Sequence, residues 1–292
     1  RSLRLSTSSN DIQTVFGGEG YEYVYLNDDE GNTVTLDGVD WVAAGNGDDD
    51  LTFTTNDITQ VSGGSGADQV HLTSNEGNTT SINGVEIVDS GSGDDNITLT
   101  GWTGATVDGG AGNDTIQSLG FNGNGYGSGD DTLTGGEGND TLRGGDGSDV
   151  LIGGSDLGVS GVDQDVAIFA NSLNDYEFGV DASGDLTVTA FKMANGSTIY
   201  YAADRYVDVV RGIETLQFSD GTITVSQSSP GAAYTLTVNS NVGETHNTLR
   251  TSSNDIQTVI GDPITQYVYL NDDEGNTVTL DGVEQVTAGN GD

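Results

Sequence analysis

Residues 126 to 154 read YGSGDDTLT GGEGNDTLR GGDGSDVLI GG. In blocks of nine this is one pattern, Gly-Gly-x-Gly-x-Asp-x-apolar-x. The copy at 135 puts Gly135, Gly136, Gly138 and Asp140 at the fixed positions and Leu142 at the apolar one. The copy at 144 does the same with Gly144, Gly145, Gly147, Asp149 and Leu151. The copy at 126 opens on Tyr126 and keeps Gly127, Gly129, Asp131 and Leu133. A flexible Gly/Asp linker has no reason to hold an apolar residue at every ninth place.

Each fixed position has a physical use. Glycines at the first, second and fourth places let the backbone take positive φ and bring carbonyl oxygens together. The aspartate offers a hard anionic oxygen, the kind of which calcium takes six to eight. The tail of each block is a short strand whose middle residue points inward. Two half-turns make a coil, so copies eighteen residues apart stack, 126 on 144 and 135 on 153. Stacked carboxylates about 4 Å apart repel by roughly 4 kcal/mol at an effective dielectric near 20. The ladder therefore needs a cation. The expected calcium ligands are Asp114, Asp131, Asp140 and Asp149, with Gly127, Gly129, Gly136, Gly138, Gly145 and Gly147 bringing backbone oxygens to the turns.

These residues resemble the RTX (repeats-in-toxin) family, specifically over roughly 109 to 169. The resemblance implies a calcium β-roll, export in one step without a signal peptide, and a chain that is unfolded in low calcium and folds outside the cell.

Composition agrees with a cation-dependent fold. In 292 residues there are 46 acids against 7 bases, a net charge of −39, with 46 glycines and one third apolar residues. A free chain of that balance sits near the disordered class, unless bound cations neutralise it; a saline habitat is a second source of such acidity. The charge excludes nucleic acid and anionic membrane as direct partners. There is no cysteine, so no disulfide framework. No apolar run is long enough for a transmembrane segment and no signal peptide is present. The chain starts at Arg1, as expected of a fragment.

Upstream, a longer period governs. Asn10 and Asn56, Gly31 and Gly77, Val39 and Val85 lie 46 apart, which predicts a wide parallel β-helix of about 46 residues per coil over 1–108. Nonapeptides at 44, 63, 90 and 109 place Asp49, Asp68, Asp95 and Asp114 at the sixth position and make them candidate calcium ligands. Starts at 17, 63 and 109 are expected to form one column and those at 44 and 90 another, running on to 135. The block at 17 carries Glu22 instead, and no calcium is expected there. The half-turn at 118–125 lacks the aspartate and reads as a splice plugged by Phe121. The tight roll spans 109–165, closing on a degenerate copy with Asp165 as ligand and Ala167 inward; Asp156 and Asp163 are further candidates.

Residues 166–250 have fuller strands and resemble the segment that follows the repeats in many RTX proteins, which implies a β-rich cap over the open end. Tyr176, Phe178, Phe191, Leu216 and Phe218 are its expected core, while Tyr200, Tyr201 and Tyr206 near Arg205 and Arg211 offer an alternative sugar-binding face. At 251 the sequence of residue 7 restarts: 33 of 42 positions are identical at an offset of 244. The expected parent is a tandem array of 244-residue units, 251–292 being the start of the next.

No catalytic constellation stands out. His-Glu-x-x-His is absent, His71 and His246 stand alone, and the paired acids sit at the turns. The reading is all-β: a right-handed parallel β-helix narrowing to a β-roll, then a cap. The expected function is a non-enzymatic, calcium-stabilised structural repeat of a secreted protein or one of the bacterial cell surface, whose partners are calcium and neighbouring copies. Glycan or ice binding and an accessory module of an exported enzyme are the alternatives.

Overall fold

Strands of three to eight residues alternate inward and outward side chains along nearly the whole chain, each ended by a Gly/Asp/Asn turn. The computed structural model describes residues 2–7, 13–28, 30–101, 103–119, 129–154, 163–192, 205–228, 231–240, 247–251, 256–260, 266–270, 279–282 and 285–288. Among them there is no α-helix, and the strands form two sheets of 14. Up to Ile168, successive strands go alternately to the first and second sheet and pair in parallel with the strand two places before. The chain is thus a β-solenoid with two strands per coil. Gly127, Phe121, Asp156, Tyr200, Tyr201 and His246 lie outside the described residues.

The strand register fixes the coil and corrects the expected width. In the second sheet Val34, Leu51, Val70, Val88 and Val107 pair in succession, at steps of 17 to 19 residues. Among the described residues the same two-strand coil runs from Ser2–Thr7 into the nonapeptides, without a wider coil before them. The 46-residue repeat is five strands, two and a half coils. Leu51 lies in Asp50–Phe53 of the second sheet and its counterpart Ile97 in Asn96–Leu99 of the first. A sequence period reports like residues, not stacked ones, and a roll with two similar edges accepts an odd number of strands.

The core is a column of stacked residues behind each sheet. Leu51, Val70, Ile97, Ile116, Leu133, Leu142, Leu151 and Ala167, the eighth residues of their blocks, are all buried. The expected stacking of 126 on 144 is seen in Leu133 against Leu151, and that of 135 on 153 in Gly136 against Gly154.

The segment after the roll, expected as a β-rich cap and linker, pairs with the roll on one side and with the strands from Asn247 on the other. Val150–Gly154 pairs in parallel with Val207–Arg211, and Val166–Ile168 with Thr215–Phe218. From there antiparallel ribbons extend both sheets, through Leu186–Ala190 and Tyr176–Val180 on one side and Gly221–Gln227 and Tyr234–Ser240 on the other. Phe169 stacks on Phe218 at 5.3 Å, with Tyr176 and Phe178 against the same ring. Tyr176 is therefore core and not part of a sugar-binding face. Phe191 is half-buried, with the guanidinium of Arg205 4.3 Å over its ring. Beyond the connector, Tyr176–Val180 and Tyr234–Ser240 pair in parallel with Asn247–Thr251 and Ile256–Ile260.

Candidate metal centre

The turns stack along two edges of the roll, and the sixth-position aspartates form a ladder on each. On one edge the backbone N–H of Asn32 donates to Asp49 Oδ1 at 2.7 Å, that of Asp49 to Asp68 at 2.9 Å, and that of Asp68 to Glu86 Oε2 at 2.8 Å. Further along this edge Ala105 donates to Asp131, Asp131 to Asp149 and Asp149 to Asp208. On the other edge the N–H groups of Asn78, Asp95, Asp114 and Asp140 donate in turn to Asp95, Asp114, Asp140 and Asp165, and Asp165 donates to Glu214 Oε2, all at 2.6–2.9 Å. The expected columns are corrected accordingly. The turn at 44 stacks with 63, while 90, 109 and 135 stack on the opposite edge, because their spacing is one coil and not two and a half.

One carboxylate oxygen of each ladder aspartate is thus used inside the protein. The other, Oδ2 of Asp68, Asp95, Asp114, Asp131, Asp140, Asp149 and Asp165, is buried without a hydrogen-bond partner. Such oxygens are costly unless something binds them. Burial first, and then neighbouring carboxylates, push Asp114 and Asp165 up to about 7. Burial likewise brings Asp68 and Asp131 to about 6. Asp149 is raised by burial and by the Asp208 carboxylate beside it.

The glycines define where those oxygens point. A methyl placed on Gly109 would stand 2.5 Å from both Asp114 Oδ2 and the carbonyl oxygen of Gly135 in the next coil. At the first-position glycine a free carboxylate oxygen and a carbonyl oxygen of the next coil converge on one point with no room for a side chain, a pair of hard donors of the kind calcium takes. Gly136, at φ 121°, has its Cα face against Gly110 O, where a methyl would come within 1.9 Å. Among the described residues no three His, Cys, Asp or Glu side chains converge on one point. The donors are instead one carboxylate oxygen per half-turn plus backbone carbonyls, which suits a hard cation and not zinc. The residues fit calcium.

The family model of the RTX calcium-binding nonapeptide repeat, in 4 copies, matches residues 126–156. The chain carries RTX repeats. No curated protein and no solved structure matches the chain. RTX repeats bind calcium, form β-rolls and are generally structural, and the proteins that carry them are typically secreted. No helix among the described residues is long and apolar enough to cross a membrane.

Sequence reading missed the ladder members outside the motif. Asn32 and Asn78 sit below Asp49 and Asp95, each adding a side-chain N–H to the same Oδ1 at 2.6 and 2.7 Å. Glu86, Asp208 and Glu214 accept at the other ends. The repeated Glu-Gly-Asn at 30–32 and 76–78 was the available signal for the first two. Gly17 differs from Gly109: the three atoms nearest a methyl there are backbone atoms of Gly38 and Asp37, and its N–H bonds Asp37 O at 2.6 Å. His71 faces out between Asp50 and Asp89, 3.7 and 3.8 Å away.

Proposed function

We propose that this chain is a calcium-assembled structural repeat of a large secreted or cell-surface protein, serving as fibre, adhesin stalk or surface-layer element. Asp49, Asp68, Asp95, Asp114, Asp131, Asp140, Asp149 and Asp165 hold the ions between coils, with backbone oxygens at glycine turns such as 127, 129, 136, 138, 145 and 147. Calcium supplies the positive charge that lets buried carboxylates stack. The roll to 165, the connector of 166–250 and the new copy from 251 then act as one stiff unit, copied in tandem.

The supporting observation is the register of the second copy. Leu249 pairs with Val268 and Val259 with Leu280, as Leu5 pairs with Val24 and Val15 with Leu36 one 244-residue offset earlier. A copy that restarts its coils on the preceding connector supports length as the product. A calcium titration followed by far-UV circular dichroism and calorimetry tests this. The expected result is a coil-to-β transition with several ions bound; a chain folded in EDTA and indifferent to calcium would overturn it.

One feature favours glycan display as a second role. Tyr21, Tyr23, Tyr25 and Trp41 line the outer face of the first sheet with ring centroids 4.8 to 5.9 Å apart, and Tyr21 and Tyr23 are exposed. Retention on a glycan array, lost in Trp41→Ala, is expected; no retention on any glycan would sink it.

A further inference from the structure

Outside the nonapeptides, the roll uses a shorter turn that the motif does not describe. Asn83-Gly84-Val85-Glu86 and Arg211-Gly212-Ile213-Glu214 share one build. The glycine is left-handed, at φ 59° and 57°, and the aliphatic residue is buried. The glutamate accepts the backbone N–H of the ladder aspartate one coil below, Asp68 or Asp165. Each sits on the last nonapeptide turn of a stack.

The pair of oxygens that converges beneath each short turn matches the pair inside the repeats. A methyl on Gly63 would stand 2.1 Å from Gly84 O and 2.4 Å from Asp68 Oδ2. A methyl on Gly153 would stand 2.1 Å from Gly212 O and 2.3 Å from Asp165 Oδ2. Both Oδ2 atoms are buried without partners, and their residues are at most 1% exposed. The arrangement repeats that of Gly109 with Asp114 Oδ2 and Gly135 O. A third short turn, Asp37-Gly38-Val39-Asp40, lies over Gly17, where the three nearest atoms are backbone, and its Asp40 accepts the N–H of Glu22 at 2.8 Å.

We propose that Asn83–Glu86 and Arg211–Glu214 are closing turns that each complete a composite calcium site. The Gly84 or Gly212 carbonyl and the Asp68 or Asp165 carboxylate are its ligands, and Glu86 or Glu214 adds the charge that a next aspartate would have added. This rests on the reading of the sixth-position aspartates as calcium ligands. The run of ions on an edge then ends at a sequence-encoded stop, and on the second edge the stop is delivered by the connector, 49 residues beyond Asp165.

Calorimetric titration of the whole chain with calcium tests it, using Gly63→Ala, Gly153→Ala and, as the repeat-internal reference, Gly109→Ala. None of these glycines has positive φ, so the change leaves the glycine's own φ unstrained and acts by pushing apart the carboxylate and carbonyl oxygens that converge there. Each variant is expected to bind one ion fewer than the parent. Full stoichiometry in Gly63→Ala and Gly153→Ala beside a loss in Gly109→Ala would overturn the closing sites and leave the ladder intact. A parent chain that takes up no calcium overturns both readings. Should Gly63→Ala not fold, Glu86→Gln decides: it keeps an acceptor for the Asp68 N–H but removes the charge. It is expected to weaken one site about tenfold, and an isotherm superimposable on the parent's would overturn the assignment.

Discussion

At each ladder aspartate two oxygens have different duties, and the duties separate by mutation. Asp114→Asn keeps an acceptor for the Asp95 N–H, which Oδ1 takes at 2.8 Å, but puts a neutral group where Oδ2 is buried and free. One calcium fewer and about 3 kcal/mol less stability in calcium are expected, read by calorimetry and denaturant melts. A glycine pair separates the cradle from glycine loss in general. Gly135→Ala brings a methyl within 2.1 Å of Asp140 Oδ2, whereas nothing lies within 4 Å of one at Gly18. The first should lower calcium affinity more than tenfold and the second leave it unchanged. Equal effects would mean that the first-position glycine serves only the backbone.

The same carboxyls set a pH dependence for the metal-free chain. Burial raises Asp68 and Asp131 to about 6 and Asp114 and Asp165 to about 7, above the roughly 3.9 of an unfolded aspartate. The folded form therefore holds protons more tightly, so its stability is fullest below about pH 4 and is lost as pH rises through 6 to 7. In chelator the β-signal should decline from pH 5 to pH 8, and in saturating calcium it should stay flat over that range. A chelated chain more folded at pH 8 than at pH 5 would contradict the sign.

At the scale of strands and turns, the local signal was legible and the stacking was not. Gly-Gly-x-Gly-x-Asp-x-Leu dictates turn, ligand and inward residue within nine positions, so the half-coils at 135 and 144 and the burial of Leu142 and Leu151 follow directly. Which half-coil lies on which depends on how many strands intervene, and a period of 46 conceals five of them. Asp208 and Glu214 were illegible for a related reason: they join ladders across 59 and 49 residues and lie outside the nonapeptide pattern. The two-and-a-half-coil period itself makes a prediction. Asp49 with Asn32 on one edge and Asp95 with Asn78 on the other have the same geometry, so the edges are chemically interchangeable. Deleting residues 51–96 joins Asp50 to Ile97, the counterpart of Leu51, and swaps every later strand to the opposite sheet. That shortened chain should still fold cooperatively in calcium, with fewer ions bound. Failure to form β-structure by circular dichroism would show that the edges differ in a way the ladders do not express.

For the whole molecule, parity and continuity decide the shape of an array. Among the described residues twenty-three strands precede Asn247–Thr251, an odd number, and this strand lies in the second sheet although its counterpart Ser2–Thr7 lies in the first. In the proposed tandem array, successive copies would therefore continue one solenoid, each entering it half a coil out of phase with the one before. The connector makes the hand-over: Leu236 pairs with Val259, Phe178 with Thr251, and Arg250 of the new copy donates to Asn174 O at 2.6 Å while lying over Phe191. At about 4.8 Å between strands, 23 strands shared by two sheets advance roughly 55 Å per copy. Tyr267 and Tyr269, the counterparts of Tyr23 and Tyr25, fall in Gln266–Leu270 of the second sheet. A chain of three 244-residue copies imaged by electron microscopy in calcium should be an unbranched rod that lengthens by about 55 Å per copy, with a label at position 25 alternating sides. Beads free to pivot at 166–250 would mean that the connector separates the copies instead of templating them.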